Sequence, residues 1–244
     1  MTPLQRLARR LGYDLTPRAK PRSPNAQLLA VLQHFRITCV LDVGANVGQY
    51  GGTLREWGYP GRIVSFEPQS DAHRALERRA AADPAWLVAP RMALGKENRE
   101  GEIKVSAESD MSSILPQGAL LRRISPSSAV VRTETVSLCR LDEVAGPYLR
   151  PEDRVFLKID AQGYDAEVLA GAAGLLERLT GIQLEMSLVP LYQGERDFRA
   201  LLDDLAGLGF EPWLFLPGYF ERKLARQLQV DGVFMRAIAA GADR

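Results

Sequence analysis

The fold of this chain is decided by the stretch Val40-Leu41-Asp42-Val43-Gly44-Ala45-Asn46-Val47-Gly48-Gln49. An apolar run ends in an acid, a loop of small residues follows, and the periodicity of a helix begins after the loop. This order is typical of a buried parallel strand whose following turn brings bare backbone against a nucleotide-like ligand. The stretch therefore predicts an α/β sheet with a nucleoside-binding loop after its first strand.

A second acid follows the next predicted strand. The apolar run 62–66 is predicted to be that strand, and Glu67 comes directly after it. An acid at the tip of the second strand lies where a ribose diol can donate two hydrogen bonds. The combination of Glu67 with Asp42, Gly44 and Gly48 therefore predicts a nucleoside cofactor.

Strands and helices are predicted to alternate along most of the chain. Strands are expected at 37–43, 62–66, 86–93, 155–160 and 182–185, and helices at 28–35, 47–57, 72–82, 168–176 and 198–205. This alternation predicts a mostly parallel, doubly wound sheet. Two final strands, 213–216 and 230–235, have no helix between them, which indicates an antiparallel C-terminal edge strand.

A small β insertion is expected at about residues 96–140. Residues 101–107 and 133–138 alternate apolar with polar side chains, as strands of such an insertion would. The residues between them, 108–131, carry little periodicity, and a connection of that length is typically a lid or a binding loop.

Composition narrows the class of protein. The chain has 244 residues, 46% of them hydrophobic, which fits one large globular domain, predicted at 26–240. The net charge of +1 indicates neither a nucleic-acid nor a membrane partner. No segment approaches the roughly 20 apolar residues of a transmembrane helix, and no signal peptide is expected. Two distant cysteines fit a reducing cytoplasm.

Residues 1–25 form a predicted basic arm, with six lysines and arginines against the single acid Asp14. Prolines 17, 21 and 24 indicate that the arm ends in a linker near Ser23-Pro24-Asn25. One interpretation is a surface arm that packs on the domain or on a second subunit, giving a homodimer. The other is docking to an acidic partner or to anionic lipid.

The loop chemistry favours S-adenosylmethionine over a dinucleotide. A pyrophosphate needs bare backbone in the middle of the loop, where Asn46 places a side chain. The acid Asp42 repels a pyrophosphate but suits a ligand with ammonium and sulfonium centres. The final strand pair also fits the methyltransferase variant of the Rossmann-like sheet better than the dehydrogenase variant. An NAD-dependent oxidoreductase is thus the first alternative, and a non-catalytic protein that retains the cofactor fold is the second.

From about residue 37 to 236 the chain resembles the FkbM family of S-adenosylmethionine-dependent methyltransferases. The matching blocks, in order, are 41–49, Ser65-Phe66-Glu67-Pro68, Met111-Ser112-Ser113-Ile114, 157–163, 168–172, Glu185 and 188–192. The resemblance implies a class I methyltransferase fold and O-methylation of a hydroxyl on a sugar, glycan or secondary metabolite. The family often has an acid at the position of Gln162.

Site residues are predicted from the resemblance together with the strand ends. The cofactor-binding set is Asp42, Gly44, Ala45, Asn46, Gly48, Glu67, Pro68, Ser112 and Asp160. The catalytic set is Asp160, Lys158 and Glu185. Asp160 and Glu185 follow or end two neighbouring strands, so both are expected beside the acceptor.

Asp160 is the expected base or acceptor-orienting group, and Lys158 shares its side-chain direction by the strand period of two. One alternative is that Lys158 and Asp160 form only a structural pair. Another is that Asp160 and Glu185 hold Mg²⁺, although no spacing in the sequence demands a metal.

Overall fold

The computed structural model describes residues 3–11 and 23–236. Its helices are α1 (Pro3–Arg10), α2 (Pro24–His34), α3 (Gln49–Trp57), α4 (Ser70–Ala80), α5 (Ala119–Ile124), α6 (Leu141–Val144), α7 (Asp165–Ala170) and α8 (Phe198–Gly207). Its strands are β1 (Cys39–Val43), β2 (Arg62–Phe66), β3 (Trp86–Val88), β4 (Ala93–Leu94), β5 (Arg99–Ser106), β6 (Val130–Cys139), β7 (Val155–Ile159), β8 (Leu179–Ser187), β9 (Phe210–Pro217), β10 (Phe220–Glu221), β11 (Arg226–Gln227) and β12 (Gln229–Arg236).

A seven-stranded sheet in the order β3-β2-β1-β7-β8-β12-β9 forms the centre of the fold. The first five strands in this order, β3, β2, β1, β7 and β8, are parallel to one another. Strand β12 runs antiparallel to both of its neighbours. The predicted mostly parallel, doubly wound sheet is therefore confirmed, and its C-terminal strand is antiparallel as expected. That strand inserts between β8 and β9, which leaves β9 outermost.

Both faces of the sheet are covered because its strands alternate their side chains between two apolar clusters. Val40 and Phe156 pack with α2, α3 and α4 on one face. Leu41 and Leu157 pack with α7, α8 and the insertion on the other. Asp42 and Lys158 share the first face, since they follow Val40 and Phe156 by two residues.

The β insertion is a separate three-stranded sheet in the order β4-β6-β5. Strands β5 and β6 pair antiparallel along nearly their whole length. The connection between them is not a bare loop, since it contains the short helix α5. An isolated bridge between Lys104 and Ser113 folds its first part back along β5.

Three predicted elements need correction. The expected strand at 86–93 is two strands, because β3 ends at Val88 and pairs with β2, whereas β4 pairs with β6 in the insertion. The expected helix at 168–176 ends as α7 at Ala170, and a 3₁₀ turn, Ala173–Arg178, follows it. The chain bends there at Gly171, which lies very close to Gly95. A Cβ on Gly171 would lie 1.9 Å from the carbonyl oxygen of Gly95. The expected linker at Ser23 is instead a helix start, because the Ser23 hydroxyl caps α2. The arm residues 12–22 lie outside the described residues.

None of the helices described is long and apolar enough to cross a membrane.

Candidate active site

A cavity of about 450 Å³ lies beyond the carboxyl ends of β1, β2 and β7. Its walls come from the loops after these strands, from residues 109–114 of the insertion, from the start of α2 and from Asp231 on β12. This volume lies within the range of small-molecule sites, and the edge of the sheet is the one at which such folds bind ligands.

The loop after β1 approaches β7 too closely for any residue but glycine at its first position. Gly44 has a φ of +72°, and a Cβ there would lie 1.8 Å from the carbonyl oxygen of Asp160. Asn46 and Gly48 also have positive φ, of +47° and +83°. Gly48 precedes the first residue of α3 and, unlike Gly44, Ala45 and Asn46, does not line the cavity. The turn therefore presents backbone to the cavity, as its sequence predicts.

Glu67 is held by backbone donors at the tip of β2. Its Oε2 accepts a hydrogen bond from the amide of Asn46 at 2.7 Å, and its Oε1 accepts one from the amide of Gln69, also at 2.7 Å. Burial raises the pKa of Glu67 to about 7, although the two backbone hydrogen bonds act to lower it. Each oxygen keeps a further lone pair, and the residue lines the cavity. This arrangement suits a diol that donates two hydrogen bonds.

Asn46 offers an unused donor to the same cavity. Its Oδ1 accepts a hydrogen bond from the Ser109 hydroxyl at 3.1 Å. Its Nδ2 is buried and has no hydrogen-bond partner among the described residues. An unpaired buried amide is costly, so this group points to a ligand that accepts a hydrogen bond.

Three other predicted cofactor residues, Ala45, Pro68 and Ser112, line the cavity. The Ser112 hydroxyl donates to Oε1 of Gln69 at 3.1 Å and accepts from the amide of Ser106 at 3.0 Å. Its proton is thus engaged within the protein. Ser112 therefore links the insertion to the loop after β2.

Asp42 lies behind the cavity wall and is fully buried. Its Oδ2 accepts a hydrogen bond from the Ser65 hydroxyl at 3.2 Å, and its Oδ1 lies 3.3 Å from Nζ of Lys158. We expected Asp42 to bring negative charge to the methionine part of the cofactor. The structure corrects this expectation, because the charge of Asp42 is paired within the protein and its side chain does not line the cavity.

Lys158 connects Asp42 to Asp160. Its Nζ lies 3.4 Å from Oδ2 of Asp160 and also 3.4 Å from the carbonyl oxygen of Gly44. Burial opposes its charge, but the neighbouring Asp160 and Asp42 outweigh that effect and raise the pKa of Lys158 above its ordinary value. The lysine is therefore a fixed cation, and the predicted pairing with Asp160 is present.

Asp160 lies on the cavity wall with its side chain 33% exposed. Gln162 donates from Nε2 to Oδ1 of Asp160 at 2.7 Å and to Oε2 of Glu185 at 2.8 Å. Gln229 donates to the same oxygen of Glu185 at 2.8 Å. The two carboxyl groups that the sequence placed on neighbouring strands are therefore bridged by an amide.

Glu185 does not suit the catalytic role predicted for it. Burial, followed by the charges of Asp160 and Asp231, raises the pKa of Glu185 well above its ordinary value. Its side chain also lies outside the cavity lining. Glu185 therefore neighbours Asp160 without contacting the cavity.

The predicted alternative of Mg²⁺ between Asp160 and Glu185 does not fit these residues. The N–H groups of Gln162 point into the space between the two carboxyls, where a cation would meet hydrogens instead of lone pairs. Within residues 3–11 and 23–236, no group of three histidine, cysteine, aspartate or glutamate side chains is placed to hold a metal ion.

Three lining residues were missed in the sequence. Tyr50 donates to Oε1 of Gln183 at 3.0 Å, and Gln183 donates to Oδ1 of Asp231 at 3.3 Å. Burial, with the charge of Asp160, raises the pKa of Asp231 to about 6. For Gln183 and Asp231 the available signal was a polar residue inside an otherwise apolar strand, which is costly unless it has a hydrogen-bond partner. The sequence does not say which partner it has.

Comparison with known proteins gives a family match. Residues 42–212 match the family model described as "Methyltransferase FkbM domain". None of the curated proteins compared with the chain matches it.

Several solved structures are similar in outline. The methyltransferase domain of bacterial CtHen1-CN is 11% identical with a TM-score of 0.48, and the alignment covers 88% of this chain and 98% of that one. An rRNA methylase from Streptococcus thermophilus is 11% identical with a TM-score of 0.48, covering 90% and 99%. Aeropyrum pernix fibrillarin with natively bound S-adenosyl-L-methionine is 10% identical with a TM-score of 0.46, covering 81% and 66%.

Proposed function

The chain belongs to the FkbM methyltransferase family, and from this premise we propose that it methylates a hydroxyl group of a sugar, a glycan or a secondary metabolite. As a member of that family it is an S-adenosylmethionine-dependent methyltransferase with a Rossmann-like class I fold. The observation that carries the choice of acceptor is the Asp160 carboxylate on the cavity wall, paired with Lys158 and Gln162.

The cavity residues fit S-adenosylmethionine. Glu67 would accept hydrogen bonds from the ribose diol with the lone pairs that its backbone donors leave free. The unpaired Nδ2 of Asn46 would donate to an acceptor atom of the cofactor. Gly44 lets the loop after β1 pack against the backbone of Asp160, where a Cβ would clash, and so keeps the loop and the proposed base side by side. When bound, the cofactor supplies a methyl group already activated by a positively charged sulfur.

Asp160 would take up the proton that the acceptor loses. Lys158 lies near Oδ2 and Gln162 donates to Oδ1, so each oxygen keeps a lone pair for the acceptor hydroxyl. When the acceptor oxygen takes up the methyl group that the bound cofactor would supply, the hydroxyl proton would pass to the Asp160 carboxylate. A base in this position typically contributes a factor of ~10²–10⁴.

The charge of the cavity supports a neutral acceptor. Glu67, Asp110, Asp160 and Asp231 line it, whereas Lys158 is the one cation among its described lining residues and is already paired. Excess negative charge repels phosphate and carboxylate groups. This favours the predicted small-molecule, sugar or glycan hydroxyl over a nucleic-acid backbone as the acceptor.

The cellular location and the oligomeric state of the protein stay predictions. Cys39 and Cys139 are free thiols, which fits the predicted cytoplasmic location. The homodimer predicted through the basic arm depends on residues that largely lie outside those described, so size-exclusion chromatography of the full chain and of a chain lacking residues 1–22 is the appropriate measurement.

Incubation with methyl-labelled S-adenosylmethionine and a panel of sugars, glycans and phenols tests the proposal. We expect a mass gain of one methyl group on a hydroxyl, and binding of S-adenosylmethionine but not NAD. Asp160→Asn should lower kcat by ~10²–10⁴-fold with cofactor affinity preserved. The matched control is Asp203→Asn, because Asp203 is exposed on α8. Wild-type turnover in Asp160→Asn, or methylation of amines alone, would contradict the proposal.

A further inference from the structure

We propose that Gln162 is the positioning residue of Asp160, and that its amide takes the place of a cation between the Asp160 and Glu185 carboxyls. The kinetic part of this proposal rests on the proposed function, whereas the electrostatic part does not. The two parts are therefore tested by different measurements.

The amide is the direct link between the two carboxyls. Both are reached from the single nitrogen Nε2, at 2.7 Å to Asp160 and 2.8 Å to Glu185. Their strands β7 and β8 are parallel neighbours, with Ile159 opposite Leu184, so the residues that follow are brought together by the register of the sheet. Two carboxyls so placed repel unless a cation, a shared proton or a hydrogen-bond donor lies between them.

Lys158 does not fill that space. Its Nζ lies on the other side of Asp160, near Oδ2 and near Asp42, while Oδ1 faces Gln162. With Lys158 alone, the carboxylate would be free to rotate about the bond that joins it to Cβ. A second donor on the opposite oxygen fixes that rotation, so Gln162 determines where the free lone pairs of Asp160 point.

Two further contacts hold Gln162, one on its side-chain amide and one on its backbone. The Tyr192 hydroxyl donates to Oε1 of Gln162 at 2.7 Å, which directs Nε2 toward the carboxyls. The Ser113 hydroxyl donates to the backbone oxygen of Gln162 at 2.7 Å. Gln162 thereby joins Asp160 to the insertion, since Ser113 belongs to the segment that lines the cavity.

The backbone at Gln162 is strained, as it often is at functional positions. Gln162 has a φ of +51° and Gly163 a φ of +87°. A Cβ on Gly163 would lie 2.8 Å from Cβ of Tyr192, so the tyrosine packs directly on the turn. A left-handed glutamine persists only when its surroundings determine it, and such residues concentrate at functional sites.

The first test is kinetic. Gln162→Ala should lower kcat about 10- to 100-fold and alter the pH profile, with KM for S-adenosylmethionine changed less than about threefold, because the base is misplaced and the cofactor loop is untouched. Tyr192→Phe, which removes the hydroxyl that contacts Oε1 of Gln162 and the carbonyl oxygen of Met111, should give a smaller loss in the same direction. The control is Gln33→Ala, since Gln33 is exposed on α2. Wild-type kcat and pH profile in Gln162→Ala would overturn the positioning role.

The second test needs no turnover. Free Mn²⁺ is followed by electron paramagnetic resonance during titration into wild type, Gln162→Glu, and Gln162→Glu combined with Asp160→Asn. Of the three proteins, we expect only the single variant Gln162→Glu to bind Mn²⁺. Its substitution removes the amide donor and creates a group of three carboxyls that needs a cation. Binding to wild type as tight as to Gln162→Glu, undiminished binding to the double variant, or no binding to Gln162→Glu would overturn the cation-replacement role.

The two tests separate the possible failures. If wild type methylates no hydroxyl, the proposed function fails while the Mn²⁺ titration still decides the role of the amide. If wild type is active and Gln162→Ala equals it, the positioning role fails alone.

Discussion

Nζ of Lys158 lies 3.3 Å from Oδ1 of Asp42, and both side chains are shielded from solvent. The pair is part of a row across the sheet, because Asp42 is in register with Ser65 on one side and with Lys158 on the other, and Lys158 is in register with Gln183. Four strands thus place polar side chains side by side beneath the cavity. The row joins the strand before the cofactor loop to the strand before the proposed base.

Lys158→Met should destabilise the fold strongly. The substitution leaves Asp42 buried without its counter-ion, and breaking a buried pair in this way costs about 3–5 kcal/mol. The free energy of unfolding in urea measures the effect. Adding Asp42→Asn to the same chain should restore part of the loss, because no unpaired charge then remains. A single variant as stable as wild type would show that the pair contributes nothing.

Glu67→Gln should weaken S-adenosylmethionine binding by about 10- to 100-fold, the value of one hydrogen bond to a charged group. In wild type, affinity should fall as pH is lowered through about 7, since burial places the pKa of Glu67 there and a protonated carboxyl loses an acceptor site. Isothermal titration calorimetry at about pH 6 and about pH 8 measures both effects. A pH-independent affinity in wild type would argue against Glu67 as the ribose ligand.

The layout of the sheet could be predicted because it depends on local patterns. The apolar run 62–66 and the loop at Gly44 gave a strand and a turn where the structure has them. The end of the helix near Gly171 could not be predicted in this way. It depends on contact with Gly95, and that contact exists only after the insertion has folded.

The site was predictable as a set of strand ends but not as a set of charges. Asp160 and Glu67 line the cavity as expected, whereas Asp42 is paired behind it. Spacing gives the direction of Lys158 toward Asp160, but not that it is shared with Asp42. Gln162 lacks a charge and so carried no catalytic signal in the sequence, and its part is visible only once both carboxyls lie within reach of its amide.

Gly44→Ala should abolish cofactor binding and reduce stability. Its Cβ would lie 1.8 Å from the Asp160 carbonyl oxygen, so β1 and β7 would have to separate. Gly58→Ala is the matched control, because Gly58 also has a positive φ, of +92°, but a Cβ on it would meet no atom within 4 Å among the described residues. The control should lose only the ~1 kcal/mol of backbone strain, with cofactor affinity retained. Thermal unfolding and calorimetric titration distinguish the two, and equal effects would contradict the steric explanation.

The ligand-free protein should be less stable at about pH 8 than at about pH 5.5. Burial raises the pKa of Glu67 and of Asp165 to about 7 and that of Asp231 to about 6, all above the values of an unfolded chain. The native state therefore holds more protons than the unfolded state in this interval, and its stability falls as pH rises through the folded pKa values. The expected loss is on the order of a few kcal/mol.

Urea unfolding at the two pH values measures this loss. Saturating S-adenosylmethionine should reduce it, because diol hydrogen bonds to Glu67 favour the ionised carboxylate and lower its pKa in the complex. Glu67→Gln should likewise flatten the profile, since it removes one of the titrating groups. Stability that stays constant or increases over the interval would mean that these carboxyls are ionised in the native state, and the acid-rich cavity would then need a compensating cation that the described residues do not provide.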